Sequence, residues 1–395
     1  MVPELRRKFN EFFTEDRYQI FLHDMEANLQ REIGFRVAES PIFVSTELKE
    51  KLLSASEEIV DVITRPDFKA LTEKAIPEQW KVPGENGHPH FIAFDFGICK
   101  NDSGELVPKL IEMQGFPTLF CFQAFVGENY KKHFPIPENY SIFLNGYNKE
   151  KYLQSLRRII IGDTLPGEAV LMDLHPHLQK TKIDFYITSE WLGIPVVGFE
   201  ELLAEGNKLF YMRDGKRQRI KRIFNRLIFD DLEASGEQPT LDLTKPYDVE
   251  WITHPNWFYR ISKYTMPFLK SQFIPETRFL IDVKEIPADL ENYVLKPLFS
   301  FSGMGVIIDV TPEDIKKVKD PENWILQRKV SYEPALQSPE GGVKMEIRMI
   351  YFWEDGQARP TAVCNLSRMS RGKMIGVRYN KDLTWVGGNI SFFEQ

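Results

Sequence analysis

The most constraining stretch of this sequence is a pair of predicted strands in which acidic residues interrupt apolar runs. Residues 91–98 read FIAFDFGI and residues 106–115 read LVPKLIEMQG, with the polar turn CKNDSGE between them. A turn centred on residues 103–104 places Asp95 opposite Glu112 in a hairpin. Two carboxylates that face each other repel, and an apolar setting worsens the repulsion unless a cation lies between them.

The acidic hairpin also has the donor set of a magnesium site. Glu112 and Gln114 are two residues apart and therefore share one face of their strand. Carboxylate and amide oxygens are ligands that Mg²⁺ takes together with nucleotide phosphates. The sequence thus predicts a Mg²⁺ site at Asp95, Glu112 and Gln114, and it predicts that Asp95→Asn leaves the unliganded protein as stable or slightly more stable. The alternative is that Asp95 faces solvent on an exposed sheet.

A second informative stretch, residues 293–306, reads YVLKPLFSFSGMGV. It opens as a predicted strand that ends at Lys296 and Pro297, continues as a loop of small residues, and resumes as a second predicted strand over residues 306–308. Glycines let backbone N–H groups approach a ligand closely, and a lysine adds a point charge for phosphate. The stretch indicates either a phosphate-binding hairpin or an ordinary hairpin with a glycine turn.

Composition narrows the class of protein. The chain has 395 residues, 43% of them hydrophobic, which predicts a large core and more than one domain. A net charge of -7 and the lack of a long basic run argue against a nucleic-acid partner. No apolar stretch reaches the ~18 residues of a membrane-spanning helix, and no signal peptide is visible. Three widely spaced cysteines are typical of a reducing compartment, so we expect a cytoplasmic protein with no membrane partner.

The hydrophobic pattern changes along the chain. Residues 1–75 carry apolar residues at helical spacing, and three prolines interrupt residues 75–90. Between residues 150 and 235 short apolar runs alternate with helical patterns, which predicts a small parallel-sheet domain. Its predicted elements are strands at 168–172 and 194–197, helices at 181–192 and 199–205, and a hairpin turn at 214–216. This domain contains neither G-x-G-x-x-G nor G-x-x-x-x-G-K-[ST], the two common nucleotide-binding motifs.

These changes predict a mixed α+β and α/β protein with four parts. They are a helical N-terminal region at 1–90, the acidic hairpin with a helical segment at 91–150, the small α/β domain at 151–250, and a last domain at 251–395.

Two H-P-H pairs are candidates for a transition-metal site. His88 and His90 form the first pair, and His175 and His177 form the second. Either pair needs a further ligand to hold a metal ion, and both flank proline loops. Solvated loop histidines are the plainer interpretation.

Other reactive side chains are assigned structural or open roles. Cys121 follows an apolar run and is interpreted as a packing residue rather than a nucleophile. A predicted loop that carries Arg368, Arg371 and Lys373 binds a substrate carboxylate or is simply solvated.

The order of motifs resembles a known family. Lys263, then VLKP, SFSGMGV, WILQ and EIR, is the order found in the ATP-grasp fold. The stretch FDFGICKNDSGELVPKLIEMQGFPT resembles the F-D…G-x-P-K-L-L-E-x-N-x-D-T-P segment of the glutathionylspermidine synthase-like ligases, in which the ATP-grasp is circularly permuted. MRDGKRQRIKRIFNRL is loosely similar to their D-G-x-x-I-x-x-I-Y-x-R segment. The resemblance begins at about Phe91 and leaves residues 1–90 uncovered.

The resemblance implies a role for each matching residue. Mg²⁺ would be held by Asp95, Glu112 and Gln114, and the ATP phosphates would be contacted by Lys263 and Lys296. A phosphate lid would be formed by Ser300, Ser302, Gly303, Met304 and Gly305, and the hinge that binds adenine by Gln327, Arg328, Lys329 and Val330. The catalytic Arg348 would contact the transferred phosphoryl group. The sequence departs from the family at Ala93, where the family has arginine, and at Gln114, where it has asparagine.

The resemblance also implies an activity. It predicts an ATP-grasp fold, with a pre-ATP-grasp-like α/β domain, that joins a carboxylate to an amine through an acyl phosphate and releases ADP and phosphate. Its small-molecule substrates would be an amino acid, a small peptide or a polyamine. Two alternatives remain open, namely a small-molecule kinase with the same ATP site and a nucleotide-binding regulatory protein without turnover. The sequence leaves the oligomeric state open.

Overall fold

A computed structural model describes residues 1–236, 239, 241–299, 305–372, 375, 380 and 382–395. The α-helices are α1 (Pro3–Phe12), α2 (Glu15–Leu29), α3 (Thr46–Ile63), α4 (Phe68–Leu71), α5 (Phe120–His133), α6 (Lys149–Ile160), α7 (Lys182–Leu192), α8 (Phe229–Ser235), α9 (Pro255–Arg260) and α10 (Pro312–Lys317).

The strands, which form five sheets, are β1 (Ile42–Val44), β2 (Phe91–Lys100), β3 (Leu106–Gln114), β4 (Tyr140–Ser141), β5 (Ala169–Asp173), β6 (Val196–Gly198), β7 (Leu203–Glu205), β8 (Lys208–Arg213), β9 (Lys216–Ile220), β10 (Arg222–Asn225), β11 (Glu250–Ile252), β12 (Thr277–Phe279), β13 (Tyr293–Pro297), β14 (Trp324–Arg328), β15 (Leu336–Ser338), β16 (Gly341–Phe352), β17 (Thr361–Ser370), β18 (Gly387–Asn389) and β19 (Ser391–Glu394).

The N-terminal region is helical, as predicted. Thr14 caps α2 by accepting a hydrogen bond from the Arg17 amide, and Ser45 caps α3 in the same way. One face of α3 is buried because its apolar residues recur every three or four positions. The exception is β1, a three-residue strand that the helical prediction missed. Among the described residues, no helix is both long enough and apolar enough to cross a membrane.

A central antiparallel sheet has the order β18-β17-β16-β2-β3, and β15 pairs with the first three residues of β16. The predicted pair of Asp95 and Glu112 is confirmed across β2 and β3. Nearer the turn the register differs by one residue from the prediction, since Lys100 pairs with Leu106, and a β-bulge between Asp95 and Phe96 restores the predicted pair. On the other side of β2, Arg348 of β16 pairs with Asp95. Strands from two distant parts of the sequence therefore lie side by side and align three charged residues in one row.

A parallel sheet of order β11-β10-β5-β6 packs beside the central sheet. It confirms the predicted parallel arrangement within residues 150–252. The helix predicted at 199–205 is wrong. Glu201 accepts a hydrogen bond from the Gly198 amide and closes a single 3₁₀ turn, after which β7 pairs with the β8–β9 hairpin. Three residues of exposed edge strand replace the expected second helical turn.

A small sheet of order β12-β14-β13 carries Lys296. The strand predicted before Pro297 is confirmed as β13. The second strand predicted at 306–308 is wrong, because within the described residues this segment forms a single bridge, between Ile307 and Leu295, while β14 pairs along the opposite side of β13. The predicted lid residues Ser300, Ser302, Gly303 and Met304 lie outside the described residues.

The last sheet joins the two ends of the described chain. β1 runs parallel to β19, which pairs with β4 on its other edge. Phe43, Phe392 and Phe393 are buried in the main hydrophobic core together with the apolar face of α3.

Candidate active site

A row of buried charges lies on one face of the central sheet. Asp95 is fully buried, and Arg348 grips it with two parallel hydrogen bonds, from Nε to Oδ1 at 2.5 Å and from NH2 to Oδ2 at 2.7 Å. Arg368 donates a third hydrogen bond to Oδ2 at 2.6 Å. Bidentate guanidinium–carboxylate pairs are among the strongest hydrogen-bonded contacts in proteins.

The Arg348 guanidinium supplies the cation that the facing carboxylates require. Its NH2 lies 3.9 Å from Glu112 Oε1 while it holds Asp95. Although burial acts to raise the pKa of Asp95, Arg348 and Arg368 hold that pKa below its ordinary value. The alternative that Asp95 faces solvent is therefore wrong.

The pairing also changes the expectation for Asp95→Asn. The carboxylate compensates the buried Arg348 and the partly exposed Arg368 rather than only opposing Glu112. Its loss leaves the buried Arg348 without its bidentate partner, so we expect the variant to be destabilised.

Glu346 extends the cluster by one residue pair along the same face. It accepts a hydrogen bond from Tyr332 Oη at 2.9 Å and contacts Arg368 through its other oxygen. Burial raises the pKa of Glu346 and the pKa of Tyr332. Gly97 makes room for this contact, because a Cβ there would lie 2.7 Å from Tyr332 Cε1.

Two lysines approach the row from the small sheet and its neighbouring 3₁₀ helix (Lys263–Phe268). Lys296 Nζ donates to Gln327 Oε1 at 2.6 Å and to the Ile111 carbonyl at 3.2 Å. Burial lowers the pKa of Lys296 to about 8, against the opposing attraction of Glu112. Burial likewise lowers the pKa of Lys263, whose Nζ lies 3.4 Å from the Leu298 carbonyl.

The cluster fits polyanionic phosphates. Four cationic side chains face three carboxylates, so the site carries an excess of positive charge. The cations are Lys263, Lys296, Arg348 and Arg368, and the carboxylates are Asp95, Glu112 and Glu346. Desolvated lysines gain most from an anionic ligand, because an anion restores the stabilisation that burial removed.

The donor set also fits Mg²⁺, but not at all three predicted ligands. Glu112 is 29% exposed, and Gln114 uses its Nε2 to donate to Glu112 Oε1 at 2.9 Å, which leaves the Gln114 carbonyl oxygen for another partner. Asp95 has both oxygens engaged by guanidinium groups. Glu112 and Gln114 can thus offer oxygens directly, whereas Asp95 can do so only if Arg348 and Arg368 move.

The residues predicted to form the adenine hinge have side chains that point in opposite directions. Gln327 is buried and bridges Lys296 and Thr277, so its side chain belongs to the lysine network. Arg328 points outward to Asp289, and the Lys329 amide donates to the Asn292 carbonyl. Val330 follows β14 directly, and Gly305 has a φ of 71°, the left-handed conformation that favours glycine.

Sequence reasoning missed part of the cluster. Arg368 was predicted in a loop but lies within β17, and the apolar run at residues 362–364 was the available signal for a strand. Arg371 instead contacts Glu340, and Lys373 lies outside the described residues. Cys121 is buried, and burial raises its pKa, in keeping with a packing role.

Arg226 was also missed, and it brings the parallel sheet to the site. It follows β10 at the carboxyl end of that sheet, where ligands of open α/β sheets bind. Its NH1 donates to the Pro117 carbonyl at 2.6 Å, and Arg348 is close enough to repel it. Within the described part of the chain, neither Arg226 Nε nor Thr118 Oγ1 has a hydrogen-bond partner although both are buried. The two donors are therefore open to an acceptor.

Comparison with known proteins finds a similar fold. The chain is similar to the apo structure of a glutathione synthetase-like effector from Globodera pallida, with a TM-score of 0.58 and 10% identity over 96% of each chain. No family model and no curated protein matches the chain. The mixed α+β architecture of this protein is thus similar to that of this effector.

Proposed function

We propose that this protein is an ATP-grasp enzyme that uses Mg-ATP to join a carboxylate to an amine. The observation that carries the proposal is the convergence of Lys263, Lys296 and Arg348 on a row of buried carboxylates. These residues come from three separate segments, in the order of the circularly permuted glutathionylspermidine synthase-like ligases. The likeness to a glutathione synthetase-like effector supports the fold that the proposal needs.

The cationic residues position the phosphates. Lys263 and Lys296 bind the ATP phosphate oxygens, and Arg348 stabilises the negative charge of the phosphoryl group in transfer. Mg²⁺, held by Glu112 and Gln114, neutralises phosphate charge when bound. The substrate carboxylate attacks the γ-phosphorus, ADP leaves, and the amine then displaces phosphate from the acyl phosphate. The burial of the site keeps water from that intermediate.

The substrate binds at Arg226 and Thr118, beside the charged row. Among the described residues, Arg226 Nε and Thr118 Oγ1 are buried donors without hydrogen-bond partners, and the Arg226 guanidinium lies between the carboxylates of Asp173 and Asp184 and the charged row at Arg348. A second anionic group of the substrate, such as the α-carboxylate of an amino acid or peptide, satisfies both donors. This places the substrate between the parallel sheet and the central sheet.

One observation favours a second candidate, a nucleotide-binding protein without turnover. Both Asp95 oxygens are held by arginines, and Ala93 stands where the resembling family has arginine. A metal site of reduced donor number binds nucleotide but catalyses slowly.

Two measurements test the proposal. Calorimetric titration with a non-hydrolysable ATP analogue should show binding that Lys296→Ala weakens by about 1.5–3 kcal/mol, the range for a hydrogen bond to a charged group. Lys270→Ala, at an exposed lysine of the same region, is the matched control and should bind normally. Unchanged affinity in a folded Lys296→Ala protein would place the nucleotide elsewhere.

Turnover separates the candidate activities. The protein is incubated with Mg-ATP and pooled amino acids and polyamines, and ADP is measured. A requirement for both a carboxylate and an amine supports the ligase. ADP release with one acceptor and a stable phosphorylated product indicates a kinase, and binding without ADP release indicates the protein without turnover.

A further inference from the structure

The first H-P-H pair converges on one carboxylate. His90 directly precedes β2, and Asp355 lies in the loop after β16, beside it in the central sheet. His90 Nε2 is 3.5 Å and His88 Nε2 is 3.6 Å from the same oxygen, Asp355 Oδ1. The His88 ring stacks on Trp353 with centroids 4.4 Å apart, which fixes its orientation.

A second carboxylate faces the same point from the parallel sheet. Glu250 begins β11, and one ligand atom from each of His90, Glu250 and Asp355 lies within 4.8 Å of the others. Arg222, on the adjacent strand β10, contacts Glu250 and holds it at this edge of the sheet.

His90 has an unexplained buried nitrogen at the centre of this group. The residue is 1% exposed, and no described residue forms a hydrogen bond with its Nε2. A buried polar atom without a partner is costly, and it calls for an ordered ligand. Nε2 lies 3.5 Å from Asp355 Oδ1, so an ion between these two atoms would supply the missing partner.

The spacing of these atoms matches a tetrahedral metal ion. Zn²⁺ bound to nitrogen and oxygen at about 2.0–2.1 Å places neighbouring ligand atoms about 3.4 Å apart. The two measured histidine–Asp355 separations are 3.5 and 3.6 Å. Glu250 is 45% exposed and can close its remaining gap by side-chain rotation. We propose that His90, Glu250 and Asp355 bind a divalent transition-metal ion of the Zn²⁺ class, and that His88, whose Nε2 lies 3.6 Å from Asp355 Oδ1, moves in as the fourth ligand.

The second H-P-H pair, His175 and His177, does not converge on a shared partner. His175 Nδ1 lies 3.0 Å from Glu200 Oε1, whereas His177 Nδ1 lies 3.0 Å from Tyr186 Oη. These two histidines contact different partners on different elements. The same three-residue motif thus yields two converging nitrogens in one place and none in the other.

The position of the ring proton leaves the His88 Nε2 lone pair available to a metal ion, whereas at His90 the proton must first be placed on Nδ1. His88 Nδ1 donates to the Pro89 carbonyl at 3.2 Å, so its Nε2 carries the lone pair. His90 Nδ1 lies 3.3 Å from Asn86 Nδ2, while Trp257 Nε1 donates to Asn86 Oδ1 at 2.8 Å. A metal ion on His90 Nε2 requires the ring proton to be on Nδ1. The Asn86 side-chain amide must then rotate so that its oxygen, rather than its nitrogen, faces His90 Nδ1.

The site is distinct from the proposed nucleotide site. Asp95 lies five residues beyond His90 along β2, a distance of about 17 Å at ~3.3 Å per residue. A metal here joins the amino edge of the parallel sheet, at Glu250, to the end of the central sheet. Its role is structural, because a metal bound only by the folded state stabilises that state.

The test uses the full chain, treated with a chelator and assayed without nucleotide. Co²⁺ is titrated and followed by its visible absorption, which is intense for tetrahedral sites, and Zn²⁺ is titrated by calorimetry and by thermal melting. We expect one ion per chain and a higher melting temperature. His90→Ala and Asp355→Asn should lose the ion, and His175→Ala, the matched variant in the other H-P-H pair, should keep it. Asn86→Asp accepts from both neighbours and should bind about tenfold more tightly.

Asp355→Asn decides the outcome if His90→Ala fails to fold, because Asp355 is 68% exposed and its replacement spares the core. Wild-type protein without a Co²⁺ spectrum or a Zn²⁺-dependent melting shift would overturn the proposal. So would an ion that Asp355→Asn retains at the wild-type affinity, or one that His175→Ala loses equally.

Discussion

Lys296 shows how burial prepares a residue for an anionic ligand. Its ammonium group sits among a carbonyl, an amide oxygen and Glu112, and desolvation outweighs these contacts enough to lower its pKa to about 8. Sequence alone placed this lysine at the end of a strand beside a small-residue loop. It could not show the lowered pKa, because the burying residues come from β3 and β14.

The first prediction is that nucleotide affinity falls as the pH rises through about 8. Phosphate binds the charged form of Lys296, so affinity for a non-hydrolysable ATP analogue should drop by up to about tenfold per pH unit above that value. Calorimetry between pH 7 and 9.5 measures it. Lys296→Arg keeps its charge across this range and should flatten the profile; a wild-type profile that is already flat would contradict the prediction.

Lys296 affects the stability of the unliganded protein in the opposite sense. Its folded-state pKa lies below the ordinary value of 10.5, so the unfolded chain binds more protons between these two values. The contribution of Lys296 to the free energy of unfolding therefore rises with pH over that window, while nucleotide affinity falls.

Asp95 carries the second prediction. Asp95→Asn leaves the buried Arg348 and the partly exposed Arg368 without their shared carboxylate, and breaking a buried pair costs about 3–5 kcal/mol. Urea unfolding of the unliganded protein should show this loss. The control is Asp67→Asn, which breaks an exposed ion pair with Arg65 worth about 0–1 kcal/mol. Equal midpoints for wild type and Asp95→Asn would mean that the arginines find other partners.

At the scale of elements, the central sheet contains one pairing that the sequence predicts, β2 with β3, and one that it does not, β16 with β2. The hairpin of β2 and β3 and its Asp95–Glu112 pair followed from a short polar turn and from alternation, both local features, whereas the β-bulge beside Asp95 did not. The position of β16 beside β2 did not, because some 250 residues separate the two strands and no local pattern encodes their pairing. Arg368 was placed in a loop rather than in a strand for a related reason. The basic residues near it are typical of a loop, whereas Met369 is buried in β17.

The third prediction concerns the close contact between β2 and the segment after β14. Gly97→Ala places a methyl group against the Tyr332 ring and should cost about 1–3 kcal/mol, the range for overpacking. The displaced ring also weakens the hydrogen bond to Glu346. Gly388→Ala is the control, because its Cβ would meet no atom nearer than 3.8 Å. Urea unfolding measures both variants, and equal losses would show that strand propensity rather than the tyrosine contact is responsible.

At the scale of the whole molecule, the sheet of β1, β19 and β4 holds the N-terminal helices against the main core. The helices themselves were predictable from capping residues and apolar spacing. Their docking was not, because β1 is only three residues long and its partner β19 lies almost the whole length of the chain away.

The fourth prediction is that Phe393→Ala destabilises the entire molecule by about 3–5 kcal/mol, the range for removing a buried aromatic ring. Phe393 pairs with Val44 and with Ser141 and is fully buried. Ile281→Ala, at a side chain that is 59% exposed, serves as the control and should be nearly neutral. A single cooperative transition at a lower urea midpoint is expected, whereas separate melting of α1–α3 would show that this sheet is not a shared core.

The parallel pairing of β1 and β19 also dictates an order of events during protein synthesis. Residues 42–44 leave the ribosome on the order of tens of seconds before residues 391–393, at typical elongation rates of about 5–20 residues per second. During that interval an apolar strand has no hydrogen-bonding partner, and unpaired edges of this kind attract chaperones and other nascent chains. The N-terminal helices can form as they emerge, but β1 gains its hydrogen-bonding partner only when translation has delivered β19.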